Sequence, residues 1–176
     1  MIARLHERGR RLALSVIGAV LIASGLGPIR AMPVAAATTS DRMPQIGVDA
    51  NGHLHLVFVR TAGPKPGLYY VTDASGAWAA TRLTDSAGAG QPRILVAGNA
   101  KVHVFWRRSA TNEADPGLFH ASNETGSWVK SKIVATPDGS EILSGYAVAL
   151  GPDGRPHLFF DQAQGSAAIE HYLINK

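Results

Sequence analysis

Pro44-Gln-Ile-Gly-Val-Asp-Ala-Asn-Gly-His-Leu-His-Leu-Val-Phe-Val-Arg60 opens a pattern that the chain writes three times. The second copy reads Pro92-Arg-Ile-Leu-Val-Ala-Gly-Asn-Ala-Lys-Val-His-Val-Phe-Trp-Arg-Arg108. The third reads Gly145-Tyr-Ala-Val-Ala-Leu-Gly-Pro-Asp-Gly-Arg-Pro-His-Leu-Phe-Phe-Asp161. One position holds His55, His103 and His157, spaced 48 and 54 residues apart. A Gly/Pro/polar loop follows each copy. An apolar-aromatic run comes next: Leu68-Tyr-Tyr-Val71, Leu118-Phe-His-Ala121 and Ile169-Glu-His-Tyr-Leu173. Gly76-Ala-Trp78 and Gly126-Ser-Trp128 then close the first two copies. Several features recurring at matched offsets mark a repeat architecture.

Each unit predicts short strands joined by tight turns. Asp49-Ala-Asn-Gly52, Asp73-Ala-Ser-Gly76, Asn123-Glu-Thr-Gly126 and Gly151-Pro-Asp-Gly154 supply residues that tolerate positive φ. Past the N-terminal segment, no stretch carries a sustained 3.6-residue period with helix caps. Four antiparallel strands per unit of this length is the blade of a β-propeller. The predicted fold is therefore all-β, with about three propeller-type blades over residues 44–84, 91–135 and 144–176. The third repeat stops at Asn175-Lys176, where a Gly-x-Trp strand is due. Three expectations compete: a truncated homologue or fragment of a longer propeller, two chains closing a six-bladed ring as a homodimer, and an open stack.

Residues 1–37 read as an export signal ahead of a repeat domain at 38–176. Arg4, Arg8, Arg10 and Arg11 precede an uncharged, mostly apolar run from Leu12 to Leu26. Gly27-Pro28 breaks that run, and Ala35-Ala-Ala37 offers the small residues of a cleavage site. The run falls short of the roughly 20 apolar residues of a spanning helix, with an uncleaved anchor as the alternative. Cleavage is expected near Thr38, through Sec or twin-arginine export. The expected product is secreted or periplasmic, with no stable membrane span.

The signal also explains the charge. The 176-residue chain has 17 Lys+Arg, 13 Asp+Glu and no cysteine. Five of the basic residues (the four above and Arg30) and one acid (Glu7) lie in residues 1–37, leaving 12 of each sign beyond it. A basic chain ordinarily suggests nucleic acid as a partner, but here the excess belongs to the export segment. No nucleic-acid partner is expected. Absence of cysteine excludes disulfides, thiolate metal sites and cysteine nucleophiles.

The Val-Asp-x-x-Gly-x-x-His strand pair and the Gly-x-Trp turn resemble secreted bacterial propellers of the sialidase-like, BNR-repeat type. The resemblance covers nearly all of residues 44–176. The family's Asp-box turn is Ser/Thr-x-Asp-x-Gly-x-x-Trp, whereas here the turns read Asp73-x-x-Gly76-x-Trp78 and Asn123-x-x-Gly126-x-Trp128. The location agrees and the spacings differ. Pro92-Arg93-Ile94 partly echoes the family's first arginine motif, without its aromatic residue or second proline. The resemblance thus implies the fold and transfers no catalytic role to any residue.

His55, His103 and His157 have two readings. One is a metal site with one imidazole per blade; the other is a repeated structural histidine. Zinc–nitrogen bonds of about 2.0–2.1 Å require convergence, which equivalent positions of separate blades do not provide. The structural reading is preferred, and no metal or other cofactor is expected. Trp78 and Trp128 read as inter-sheet anchors, with sugar stacking as the alternative. The loops after the second strand of each unit are the natural mouth for a ligand. Arg60, Arg93, Arg107, Arg108, Asp161 and Gln162 are the candidate binding residues, suited to a glycan or peptide. The expected function is a secreted, non-catalytic binding or scaffold module. The alternative is a sialidase-like glycoside hydrolase completed by dimerisation or by further blades. No phosphate loop, dinucleotide fingerprint, Ser-His-Asp motif or HExxH motif is present.

Overall fold

The computed structural model describes residues 40–109, 115–135, 142–164 and 167–174. The side chains of 142–144, 164, 167, 168 and 174 are not among those described. The expected export signal lies outside these residues. All the described residues are in strands, turns or irregular segments, with no helix. Eleven strands form three antiparallel sheets of four, four and three strands, none closed into a barrel. Sheet one is β1 (Asp41–Val48), β2 (Leu54–Arg60), β3 (Gly67–Thr72) and β4 (Ala79–Thr84), paired in chain order. Sheet two is β5 (Ala89–Val96), β6 (Val102–Arg108), β7 (Gly117–Ser122) and β8 (Val129–Ala135), paired the same way. Sheet three is β9 (Ile142–Leu150), β10 (Pro156–Gln164) and β11 (Ala167–Ile174), again in chain order.

The turn chemistry expected from the sequence is in place. Asp49 Oδ1 accepts the N–H groups of Asn51 and His53 at 2.8 and 2.9 Å, and Gly52 sits at φ 85°. Burial opposes ionisation of Asp49, but the side-chain and backbone bonds from His53 and the backbone bond from Asn51 prevail. They hold its carboxyl down at about 2. Asp73 Oδ1 accepts the N–H of Leu54, and Asn123 Oδ1 that of Val102, each at 2.7 Å. The same turn position therefore fastens the start of the second strand in two sheets.

The first strands begin earlier than the repeat boundary at Pro44 and Pro92. Both prolines lie beside register shifts, with Met43 and Gln91 at φ 55° and 49°. Proline has no N–H for a ladder, so it is accommodated on an edge strand at a bulge. Sheet three has the corresponding irregularity between β9 and β10.

Alternation decides what each sheet face touches. Val57, Val59, Leu68 and Tyr70 of sheet one pack with Val102, Val104, Trp106 and Phe119 of sheet two in one buried cluster. Phe105 and Leu118 on the opposite face of sheet two pack with Tyr146, Leu158 and Phe160 of sheet three. Sheet two is thus covered on both faces. Gly47 permits the close approach of β1 to β5: a Cβ there would lie 2.6 Å from Val96 Cγ2. Trp128 meets Tyr70 edge-on across the first interface, with ring centroids 4.9 Å apart. Trp78, its repeat counterpart, is half-buried.

Candidate functional site

A cavity of about 370 Å³ opens where β5 meets sheet three. It gathers Arg93 and Asp161, both singled out from sequence, with Gln91, Tyr146, Phe159 and Glu170. The β5 bulge turns Gln91 toward the neighbouring sheets. Its N–H points to Met43 Sδ of sheet one at 3.2 Å, and its carbonyl accepts the Tyr146 hydroxyl of sheet three at 2.6 Å. Burial pushes the Tyr146 phenol well above its usual range, against the opposing influence of Arg93 and Arg107. Tyr146 is therefore a neutral donor that ties two sheets together under the cavity. Gly145 beside the Gln91 amide sits at φ 136°, a backbone conformation that favours glycine.

Arg93 lies over the Tyr146 ring, 5.8 Å from its centroid, and bonds the Pro92 carbonyl at 3.1 Å. The guanidinium thus sits over the Tyr146 ring at the cavity wall. Asp161 and Glu170 are direct cross-strand partners on β10 and β11. Two carboxylates on one sheet face thus stand next to an arginine and two aromatic rings. Such a cavity offers planar hydrogen-bonding groups and apolar ring faces together.

The other candidate residues lie elsewhere. Arg60 makes a paired contact with Asp41, Nε to Oδ1 at 2.8 Å and Nη2 to Oδ2 at 2.9 Å, and covers the Tyr69 ring. The Asp41 carboxylate raises the Arg60 pKa. Arg108 donates to Thr84 Oγ1 at 2.8 Å, stacks on Phe119 and lines a separate cleft of about 260 Å³ with Lys130 and Lys132. Arg107 is the register partner of Gly90. Gln162 pairs with Ile169 and Ile142 in the middle of sheet three. The sequence reading did not assign Tyr146, Phe159 or Glu170 to the site. For Glu170, the available signal was its alternation opposite Asp161.

The three repeated histidines each bond the third strand of their own sheet. His55 Nδ1 lies 2.7 Å from Tyr70 Oη, and His103 Nδ1 lies 3.1 Å from His120 Nε2. His157 Nδ1 pairs with Tyr172 Oη. Burial depresses His103, and burial followed by the adjacent His103 charge holds His120 down at about 4. Among the described residues, no group of three or more His, Cys, Asp or Glu side chains is arranged to hold a metal ion. No described helix is long and apolar enough to cross a membrane.

No protein-family model matches the chain, and neither does any curated protein.

Proposed function

We propose that the chain is a secreted binding module built from β-propeller-type blades, with its glycan-binding site in the Arg93–Asp161 cavity. The observation that carries this reading is the convergence of Arg93, Gln91, Asp161 and Glu170 with Tyr146 and Phe159 around one cavity. Sugars present flat apolar patches to aromatic rings and hydroxyls to carboxylates, amides and guanidinium groups. The blade reading is supported by three sheets paired in chain order, the recurring first-strand irregularity and the repeated histidine bond. The resemblance to sialidase-like repeat proteins belongs to the same proposal. Export rests on the signal pattern of residues 1–37.

The test is a glycan array followed by calorimetry on the glycans retained. Wild-type protein should retain a defined glycan class. Arg93→Ala and Asp161→Asn should each weaken that binding at least tenfold while leaving the circular dichroism spectrum unchanged. Equal binding by all three proteins would contradict the proposed site.

The cross-strand pairing of Asp161 with Glu170 favours one second reading, glycoside hydrolysis. Directly opposed residues place their Cβ atoms about 4.5–5.5 Å apart, and glycosidase carboxyl groups stand roughly 5–9.5 Å apart. Release of fluorophore from aryl glycosides, abolished by Glu170→Gln, would establish it. No release above an Asp161→Asn/Glu170→Gln double variant would dismiss it.

A further inference from the structure

The three sheets stack through equivalent faces, and the outer faces of the two end sheets carry exposed apolar and aromatic residues. Ile94 and Val96 of sheet two pack into the first interface. Their repeat counterparts on sheet one, Ile46 and Val48, are 61% and 56% exposed. At the other end, Tyr70 of sheet one carries the edge of Trp128, whereas its counterpart in sheet three, Tyr172, is 58% exposed. Soluble proteins seldom leave such sheet faces open without a partner.

We propose that a second copy of this chain covers these faces head to tail, with sheet one of each copy docking on sheet three of the other. The internal contacts give the register. Trp78 of one copy would meet Tyr172 of its partner, as Trp128 meets Tyr70 within the chain. Val48 would approach Ala149, as Val96 approaches Gly47. The free face of sheet one carries Arg82, register partner of Tyr69, and that of sheet three carries Glu170. Each copy presents both surfaces, so two heterologous contacts close a pair and leave neither face open. By the same register, Phe159 corresponds to the buried Val57, so the partner would cover Phe159 and compete with a glycan for that side of the cavity. The pairing stands on the repeated interfaces and does not depend on what the cavity binds.

Light scattering on the full chain tests it. Wild type should run at about twice the 18.5 kDa chain mass. Ile46→Lys and Tyr172→Glu alter exposed residues on opposite ends, and each variant alone should run as a single chain with a native circular dichroism spectrum. Mixing the two variants leaves one intact contact and should restore a two-chain species. A single-chain mass for wild type, or an open-ended series of larger species, overturns the closed pair. Association driven by the apolar run of residues 12–26 would survive both substitutions, and that result also overturns it. Mass and glycan retention are separate readouts, so failure of either proposal is recognised independently.

Discussion

Sheet two and sheet one carry the same strand pattern in different surroundings. Trp106 of sheet two is buried between two sheets, while its repeat counterpart Phe58 lies half-buried on an open face. Ile94 and Val96 likewise have neighbours that Ile46 and Val48 lack. Strand formation therefore follows local alternation and turn chemistry, whereas burial follows position in the stack. The same residue pattern yields a core in one sheet and an exposed apolar face in another.

The largest expected effect sharpens that contrast. Trp106→Ala should cost ~3–5 kcal/mol of folding stability, as for a large core aromatic. Phe58→Ala should cost well under half as much in urea titrations run under conditions where the chain is monomeric. Equal losses would break the distinction between covered and open faces.

A smaller effect lies in the histidine pairs. Sheets one and three pair histidine with tyrosine, and sheet two pairs His103 with His120. Burial holds His120 at about 4, below its ordinary 6.5. Between those values the unfolded chain binds a proton that the folded chain refuses, so stability falls as pH drops from 6.5 to 4. With partial solvent screening, the loss should be ~2 kcal/mol. His120→Tyr would give sheet two the pairing of its neighbours and should flatten the midpoint-versus-pH curve across that window. An unchanged curve would remove His120 as its source.

The smallest contrast concerns the turns. Asp73→Ala and Asn123→Ala each leave a strand-start N–H without its side-chain acceptor, at a cost of ~1 kcal/mol. Similar losses in the two sheets, measured by thermal melting, would support equivalent roles. A loss confined to one sheet would separate the repeats.

Much of this fold was legible in the sequence. Asx-Gly turns and period-two alternation are local signals, and they located the strand pairs and the repeat. The strand starts were less legible. Pro44 and Pro92 looked like boundaries, yet a bulge on an edge strand carries the chain past each of them. The site was only partly visible. Arg93 and Asp161 could be named individually, but their meeting depends on how sheet two stacks on sheet three. Tyr146 was hidden for the same reason, because its hydroxyl bonds a carbonyl 55 residues away. Glu170 required the β10–β11 register, which turn residues alone do not fix.

Covalent trapping tests the claim that end faces mate like internal ones most directly. The chain has no cysteine, so an introduced pair reports without background. A Cβ on Gly47 would lie 3.6 Å from the Val96 Cβ, within the range spanned by disulfides. The equivalent positions at the open ends are Ala149 and Val48. Under mild oxidation, the Val48→Cys/Ala149→Cys chain should form a covalent species of two chains, absent from either single-cysteine variant. A double variant that stays at single-chain mass, or crosslinks no more than the single variants do, would contradict the account.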